Sequence, residues 1–305
     1  MAYSLDDKLV VGVSTRALFD LSEAHEVFRS EGVEAYTRYQ IENQRVPLTP
    51  GTGYPLVKGL LGINERLGET LVEVVIVSRN SADTGLRTRH SIEALGLPIT
   101  RAAFTRGRPV ADYLEAFSCD LFLSAEDADV VRALQAGFAA GKILPVPATS
   151  SHEGEVRVAF DGDAVLFGSA SEELYQREGL EAFQANEAAR ASEPMEAGPF
   201  LPFLRALCRI QERFPPEDCP VRTALITARD SVSHERVVNT LHALGVRIDE
   251  CFFLGGVRKA PIVKAFRPHI FFDDQLVHAG PASEVAPAAQ VPRTPPRPAP
   301  EVGPR

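Results

Sequence analysis

Short runs of apolar residues alternate along the chain with longer segments in which apolar side chains recur every three or four positions. The short runs are typical of buried β-strands, and the longer periodic segments are typical of amphipathic helices. Strands that alternate with helices in this way predict an α/β fold, with a parallel sheet covered by helices on both faces. The predicted strands span residues 9–13, 72–77, 102–104, 120–123, 156–160, 222–226, 250–253 and 269–272.

The helices are predicted from the period of their apolar positions and from the residues that end them. Gly96 and Gly245 each follow a periodic segment, as glycine commonly does at the residue beyond a helix C-terminus. The predicted helices span residues 56–67, 85–95, 111–117, 203–214, 233–244 and 260–266.

The order of these elements repeats once, at a spacing of about 147 residues. The segment EVFRSEGVEAY at 26–36 corresponds to ELYQREGLEAF at 173–183, and residues 55–66 correspond to 202–213 in the same way. Several matches in one order and at a nearly constant spacing indicate a tandem duplication, and a repeat of this kind determines the architecture of the whole chain.

Four carboxylates follow two of the predicted strands in the second half. Asp161 and Asp163 come directly after one apolar run, and Asp273 and Asp274 come directly after another. Carboxyl ends of neighbouring parallel strands share one crevice, so we expect these side chains to lie close together. Oxygen ligands of this kind suit Mg²⁺, and an aspartate beside such an ion can act as a nucleophile toward phosphorus. The pattern therefore predicts phosphoryl chemistry at this edge of the sheet.

The first half keeps the apolar frame of the repeat but lacks these carboxylates. Its matching positions hold Ser14, Arg16, Ser124 and Ala125. We interpret the first half as a non-catalytic copy joined to a catalytic one; a copy that serves only as a packing partner is the alternative.

Composition and charge narrow the classes of function. The net charge of −9 and the absence of a Lys/Arg run argue against a nucleic-acid partner, because a phosphate backbone needs a basic face. The four cysteines are scattered, and no apolar run approaches the length of a membrane span. We therefore expect a cytoplasmic protein with reduced thiols and no membrane partner. From about residue 281 the chain is rich in Pro and Ala, which predicts a disordered tail over 281–305.

Four motifs carry a resemblance to a known family. They are AFDGDAVLF at 159–167, TALITARDS at 223–231, a lysine before a helix, and RPHIFFDDQ at 267–275, with STRALF at 14–19 in the first half. Their order resembles that of the haloacid-dehalogenase-like phosphohydrolases, and the flanking residues resemble the type I cytosolic 5′-nucleotidases over about residues 8–280.

The resemblance implies a tandem duplicated, haloacid-dehalogenase-like (Rossmannoid) α/β fold made of two parallel-sheet halves. We expect a degenerate, non-catalytic repeat over residues 1–150 and a catalytic domain over 151–280. A small cap is expected as an insert in the second half, at about residues 168–202.

The resemblance also assigns roles to individual residues. Asp161 occupies the position of the nucleophile, and Asp163 occupies that of the general acid and base, which protonates the leaving oxygen and then activates water. Asp273 and Asp274 complete a Mg²⁺ site with those two aspartates, and which of the pair ligates the ion directly is open.

Phosphate contacts are expected from a second set of residues. Thr227 ends a strand, and its hydroxyl, with the N–H groups from Ala228 onward, could hold phosphate oxygens. Arg229 is a further candidate for a phosphate contact. Lys259 stands at the start of a helix and could neutralise phosphate charge; Lys264, nearer the end of that helix, is the alternative.

These roles imply Mg²⁺-dependent hydrolysis of nucleoside 5′-monophosphates, AMP among them, to a nucleoside and phosphate through an aspartyl-phosphate. Two alternatives remain open: a phosphatase of sugar phosphates or other small metabolites, and a nucleotide-sensing protein without turnover. The expected partners are a nucleoside monophosphate and, by resemblance, further copies of the chain in a homo-oligomer.

Overall fold

The computed structural model of the protein describes residues 3–145 and 154–293. Its strands are β1 (Leu9–Val13), β2 (Phe19–Asp20), β3 (Thr49–Pro50), β4 (Val72–Ser78), β5 (Arg101–Phe104), β6 (Leu121–Ser124), β7 (Ala139–Ile143), β8 (Val156–Phe160), β9 (Val221–Thr227), β10 (Glu250–Phe253), β11 (Ile270–Asp273) and β12 (Ala288–Gln290). Its helices are α1 (Thr15–Leu18), α2 (Ser22–Glu42), α3 (Tyr54–Leu67), α4 (Ala82–Ala94), α5 (Ala111–Ala116), α6 (Asp127–Gln135), α7 (Ala170–Ala189), α8 (Leu201–Gln211), α9 (His234–Leu244), α10 (Ala260–Phe266) and α11 (Leu276–Ser283).

Most of the strands form one large sheet, in the order β10-β9-β8-β11-β12-β7-β6-β1-β4-β5. Neighbouring strands in this order pair in parallel, except β7 and β12, which pair antiparallel. The order β5-β4-β1-β6-β7 in the first half has the same pattern as β10-β9-β8-β11-β12 in the second. The prediction of an α/β fold with a mostly parallel central sheet is confirmed.

The central strands are buried because apolar residues fill nearly every position and not only alternate ones; in β4 the polar positions are Glu73 and Ser78. All residues of β1 and of β4 are buried. A strand covered by helices on both faces needs such a continuous apolar run. The β-branched side chains of Val75, Ile76 and Val77 are almost fully buried, and this residue type suits a pleated, covered strand.

Helices α3 and α8 pack across the junction between the two halves. Helix α3 contacts β4 of its own half and β8 of the other, whereas α8 contacts β9 of its own half and both β1 and β7 of the other. Each helix carries a proline in its first turn, Pro55 or Pro202, where a missing N–H breaks no helical hydrogen bond. As a result, one hydrophobic cluster contains residues of both halves.

Small residues line the junction at which β7 pairs antiparallel with β12. The sequence pattern does not predict this junction. A Cβ atom at Gly141 would lie 3.0 Å from the Cβ of Ala289 and 3.0 Å from a ring carbon of Phe272. Ala140 and Ala288 on the same two strands are fully buried. The missing side chain of Gly141 therefore leaves room for the Phe272 ring and for Ala289 on this face of the sheet.

The prediction of a disordered tail beginning near residue 281 is wrong for residues 281–293. Ala286, Ala289 and Val291 are buried in this segment, and β12 pairs with both β11 and β7. The alanines make the segment appear unable to form a core, yet they are the residues that let β12 fit between its neighbours. The rest of the predicted tail, 294–305, lies outside the described residues.

A long helix follows the first strand of each half and is broken at a glycine. In α2 the break is at Gly32, with φ 86°, and in α7 it is at Gly179, with φ 84°. Both angles lie in the left-handed region that glycine adopts without steric cost. Helix α7 lies within the residues predicted as the cap insert, 168–202.

No helix within residues 3–145 and 154–293 combines the length and apolar character needed to cross a lipid bilayer.

Candidate active site

Three buried carboxylates meet where β8 and β11 end. Asp161 follows β8, Asp273 is the last residue of β11, and Asp274 comes next. One oxygen from each side chain lies within 4.8 Å of the others. The adjacent strands are parallel and in register, so their carboxyl ends bring the side chains to the same edge of the sheet. The structure therefore brings together three of the four aspartates that the sequence predicted.

Lys259 lies between two of these carboxylates. Its Nζ is 2.8 Å from Asp161 Oδ1 and 2.7 Å from Asp273 Oδ2, and its side chain is only 1% exposed. The residue directly precedes α10, so the start of that helix directs it toward the strand ends. Lys264 on the same helix is exposed. Of the two candidate lysines, Lys259 is thus the one that the fold brings to the carboxylates.

The charges of this cluster strongly affect one another. Burial raises the pKa of Asp273 and of Asp274, and the negative charge of Asp161 raises both further, that of Asp274 to about 6. Burial alone would lower the pKa of Lys259, but the carboxylates of Asp161 and Asp273 outweigh this effect and hold that pKa above its usual range. The site keeps its lysine charged while it disfavours full ionisation of the carboxylates, so a further cation would stabilise it.

Asp274 has one oxygen that is hydrogen-bonded and one that is not. Its Oδ2 accepts a hydrogen bond from Nε of Arg293 at 2.5 Å. Its Oδ1 is buried and has no hydrogen-bond partner among the residues that the structure describes. A buried oxygen of this kind is costly unless a donor or a cation completes its environment. The donor set and this unpaired atom fit a hard divalent cation such as Mg²⁺.

The carboxylate of Asp163 is held by Arg229, outside the group of three. Nε of Arg229 donates to Asp163 Oδ2 at 2.8 Å, and Nη2 donates to Oδ1 at 2.7 Å. The third nitrogen, Nη1, donates to Glu187. Burial alone would lower the pKa of Arg229, but Asp163 and Glu187 outweigh it and raise that pKa. All three guanidinium nitrogens of Arg229, which the sequence assigned to phosphate, therefore contact carboxylates.

Thr227 lies beside the glycine between the two catalytic candidates. Its Oγ1 would be 3.4 Å from a Cβ atom at Gly162, so the hydroxyl lies at van der Waals contact distance from that position. Oγ1 also accepts a hydrogen bond from the backbone N–H of Arg229 at 3.2 Å. Among residues 3–145 and 154–293 nothing accepts a hydrogen bond from this hydroxyl, whose proton could thus reach a ligand oxygen. Ala228, the next residue, is exposed.

Sequence reasoning missed two residues that contact this site. Arg293 lies in the segment predicted to be disordered, where nothing in the composition indicated a contact with Asp274. Glu187 lies on α7, among polar residues that are typical of a solvated face. In the structure Glu187 matches Gln40 of the first half, which is buried as well, but neither residue stands out in the sequence.

The first half has a cavity of about 1450 Å³ at the corresponding strand ends. Its floor contains Ser14, Ser78 and Ser124, which follow or end β1, β4 and β6. Ser14 accepts a hydrogen bond from the backbone N–H of Ala17 and so caps helix α1. Arg16, at the position that matches Asp163, pairs with Glu126. These positions are thus used for local structure in the first half.

One solved structure has a weak similarity to the chain. The chain is similar to the crystal structure of histidinol dehydrogenase from Elizabethkingia anophelis, with a TM-score of 0.21 and 10% sequence identity. The match covers 93% of this chain and 52% of that chain. A similarity at this level says nothing about fold or activity.

Sequence comparison identifies the family. The chain is 36% identical to cytosolic 5′-nucleotidase 1B of Homo sapiens over 282 residues. The aligned region covers 88% of this chain and 46% of that protein. The chain therefore spans about half the length of this curated relative. The family model described as 5′-nucleotidase matches residues 1–296. The chain belongs to the 5′-nucleotidase family.

Proposed function

We propose that this protein hydrolyses nucleoside 5′-monophosphates, AMP among them, to a nucleoside and inorganic phosphate. The observation that carries the proposal is the buried group of Asp161, Asp273 and Asp274 with Lys259 between two of its members. A scaffold has no need for such a group, because mutual repulsion of buried carboxylates costs stability. Family membership and the relative's name support the class of substrate.

Asp161, Asp273 and Asp274 would hold Mg²⁺, which when bound would neutralise negative charge on the substrate phosphate. The predicted fourth ligand, Asp163, has both carboxylate oxygens on Arg229. For Asp163 we therefore keep the acid and base role and not that of a ligand. The unpaired Oδ1 of Asp274 supports direct ligation by that residue.

In the first step, an oxygen of Asp161 attacks phosphorus and the bond to the 5′-oxygen of the nucleoside breaks. Asp163 donates a proton to that oxygen, and the products are an aspartyl-phosphate and the free nucleoside. In the second step, Asp163 accepts a proton from water while the water oxygen attacks phosphorus, which releases phosphate and restores Asp161. Each Asp163 oxygen accepts one hydrogen bond from Arg229 and keeps a second lone pair, so Asp163 can carry the proton while Arg229 holds the orientation of the carboxylate.

The phosphate oxygens would be held by the Thr227 hydroxyl, the backbone N–H of Ala228 and the Lys259 ammonium. Lys259 already contacts Asp161 and Asp273, so it would also hold the nucleophile in place. Positioned donors of this kind stabilise the charge of a phosphoryl group as it is transferred.

We also propose that the chain arose by duplication of a haloacid-dehalogenase-like unit, with a non-catalytic copy at 1–150 and a catalytic copy at 151–280. The repeated strand order of the sheet supports this reading. The glycine breaks in α2 and α7 support it too, because they occur at matching positions. We propose a cytosolic location, because the relative is named a cytosolic enzyme.

The test is phosphate release from a panel of nucleoside monophosphates and sugar phosphates, in Mg²⁺ and in EDTA, by the wild type and by Asp161→Asn. We expect Mg²⁺-dependent release from nucleotides that the substitution abolishes. Release from sugar phosphates alone would keep the chemistry and reject the substrate class. No release from any compound, by a folded protein that binds Mg²⁺, would reject the proposal in favour of a nucleotide sensor.

A further inference from the structure

Glu187 on α7 is a fully buried carboxylate that is surrounded by hydrogen-bond donors. Oε1 accepts from Nη1 of Arg236 at 2.6 Å and from the Ser171 hydroxyl at 3.0 Å. Oε2 accepts from Nη1 of Arg229. Its side chain is 0% exposed, so these contacts replace water completely. Glu187 lies in the segment proposed as a cap. Its contacts join that segment to Arg229, which follows strand β9, and to Arg236 on helix α9.

Arg229 connects this carboxylate to Asp163. Its Nε and Nη2 hold both oxygens of Asp163, and its Nη1 faces Glu187. The guanidinium carbon of Arg229 lies 5.3 Å from the ring centroid of Phe183, which is on helix α7 together with Glu187. A planar guanidinium with acceptors on two sides and a ring on its face has a fixed orientation. The orientation of the Asp163 carboxylate follows from that of Arg229.

The first half provides an internal comparison, because it keeps part of this arrangement. Gln40 matches Glu187 and Arg87 matches Arg236 in the repeat. Arg87 donates from Nη1 to Gln40 Oε1 at 3.2 Å and from Nε to a backbone carbonyl at 3.0 Å, as Arg236 does to Glu187 and to a carbonyl at 3.1 Å. A neutral acceptor is therefore sufficient for the contact between this helix and the core.

The first half lacks the remaining contacts of this network, which are those between Arg229 and Asp163. The position that matches Arg229 holds Asn80, and the position that matches Asp163 holds Arg16. The second half, which has the Arg229–Asp163 pair, carries the charged Glu187 where the first half carries the neutral Gln40. The charge of Glu187 thus accompanies the catalytic residues, whereas its contact with the neighbouring arginine does not.

We infer that Glu187 is a positioning residue, which fixes Arg229 and through it the carboxylate of Asp163. The inference rests on the proposed function, because it concerns the residue that carries the proton in that reaction. Glu187→Gln keeps the shape of the side chain and its acceptor for Arg236. Its amide nitrogen, however, is a donor, and it would face the donor Nη1 of Arg229. Arg229 would then lose the orientation that holds both oxygens of Asp163.

The experiment compares kcat and KM for Mg²⁺-dependent release of phosphate from AMP by the wild type, E187Q and E187D. We expect the kcat of E187Q to fall about tenfold or more and its KM to change little. A loss of this size is common when a residue that orients an active-site group is replaced. E187D keeps the charge and should recover part of that loss. Gln40→Ala is the matched control, because it removes the corresponding contact in the first half; it should lower the melting temperature and leave kcat unchanged.

Two results would overturn the inference: a wild-type kcat in folded E187Q, or a loss of kcat in Q40A as large as that in E187Q. If E187Q fails to fold, Arg229→Lys takes its place, since a lysine keeps the charge but cannot hold both oxygens of Asp163. A wild-type kcat in folded R229K would then overturn the inference.

A crystal structure of E187Q gives a readout that needs no turnover. We expect the Arg229 guanidinium to have left Asp163 while the fold is unchanged. If the wild type releases no phosphate, the proposed function fails, and this structure alone decides the positioning role. An unmoved Arg229–Asp163 pair in E187Q would reject it.

Discussion

Lys259 Nζ lies 2.7 Å from Asp273 Oδ2, in a place where neither group reaches water. The same ammonium contacts Asp161, and Arg293 contacts Asp274. The three carboxylates therefore outnumber the cations that contact them. Burial raises the pKa values of Asp273 and Asp274, and the negative charge of Asp161 raises them further; the uncompensated charge is the physical basis for expecting a divalent cation here.

The first prediction concerns pH and Mg²⁺ together. The pKa of Asp274, about 6, and that of Asp273 lie above the value of about 3.9 for an aspartate in an unfolded chain. The folded, metal-free protein therefore binds these protons more tightly. This contribution to stability is fully present below about pH 4 and is lost as the pH rises through about 6 for Asp274 and about 8 for Asp273. We expect melting temperatures in EDTA to fall over this interval.

Mg²⁺ should counteract that fall, because it binds the ionised carboxylates and displaces their protons. The increase in melting temperature on adding Mg²⁺ should thus be larger at pH 7.5 than at pH 5.5. Equal increases at the two pH values would contradict the assignment of these aspartates to a cation site. Ca²⁺ at the same concentration shows whether the effect depends on the geometry of the ion.

The second prediction concerns Asp161→Asn. Loss of the proposed nucleophile should lower phosphate release more than about 10³-fold. The substitution also removes the negative charge that raises the pKa of Asp273 and Asp274. The stability of the variant in EDTA should thus depend less steeply on pH than that of the wild type. Melting curves across the pH range test this expectation without any substrate, and an unchanged slope would contradict it.

The third prediction compares two lysines of one segment. Lys259→Met leaves Asp161 and Asp273 buried without their cation, which should cost about 3–5 kcal/mol of stability in EDTA. Mg²⁺ should restore part of that stability. Lys264→Met is the control, because Lys264 is exposed and should have little effect. Denaturant titrations measure both variants, and similar losses in the two would reject the buried charge network as the cause.

The fourth prediction concerns the junction between β7 and β12. Gly141→Val should destabilise the fold by about 1–3 kcal/mol, because its side chain would overpack against Ala289 and Phe272. Gly62→Ala, in helix α3, is the opposite case, since a Cβ atom there meets nothing within 4 Å. It should stabilise the protein by about 1 kcal/mol through helix propensity. A neutral effect of Gly141→Val on urea unfolding would mean that the junction can accommodate a larger residue.

The three-carboxylate group could be predicted from the sequence because its geometry follows from local rules. Asp161 and Asp273 each come at the end of an apolar run, and parallel neighbours end at the same edge. Lys259 could be preferred over Lys264 through the resemblance and because a lysine near a helix C-terminus is explained by helix stability alone. In the structure they differ because the start of α10, and not its end, faces the strand ends.

Contacts that depend on distant packing could not be predicted. Glu187 is buried because Arg229 and Arg236, which lie beyond strand β9 and on helix α9, meet it in space. Helical periodicity gives no sign of that burial. The residues of β12 were missed for a different reason: alanine is a poor signal of a strand, yet at a crowded junction its small volume is what the packing requires.

The antiparallel pairing of β7 with β12 makes one hydrogen-bonded sheet out of two halves. Either half on its own would expose a row of unpaired N–H and C=O groups, on which strands from other molecules readily add. Joining the halves in one polypeptide turns an association between molecules into an intramolecular one, which dilution cannot reverse. The half without the acidic cluster thus covers one edge of the other half's sheet within the same molecule, and β5 and β10 are left as the two outer strands.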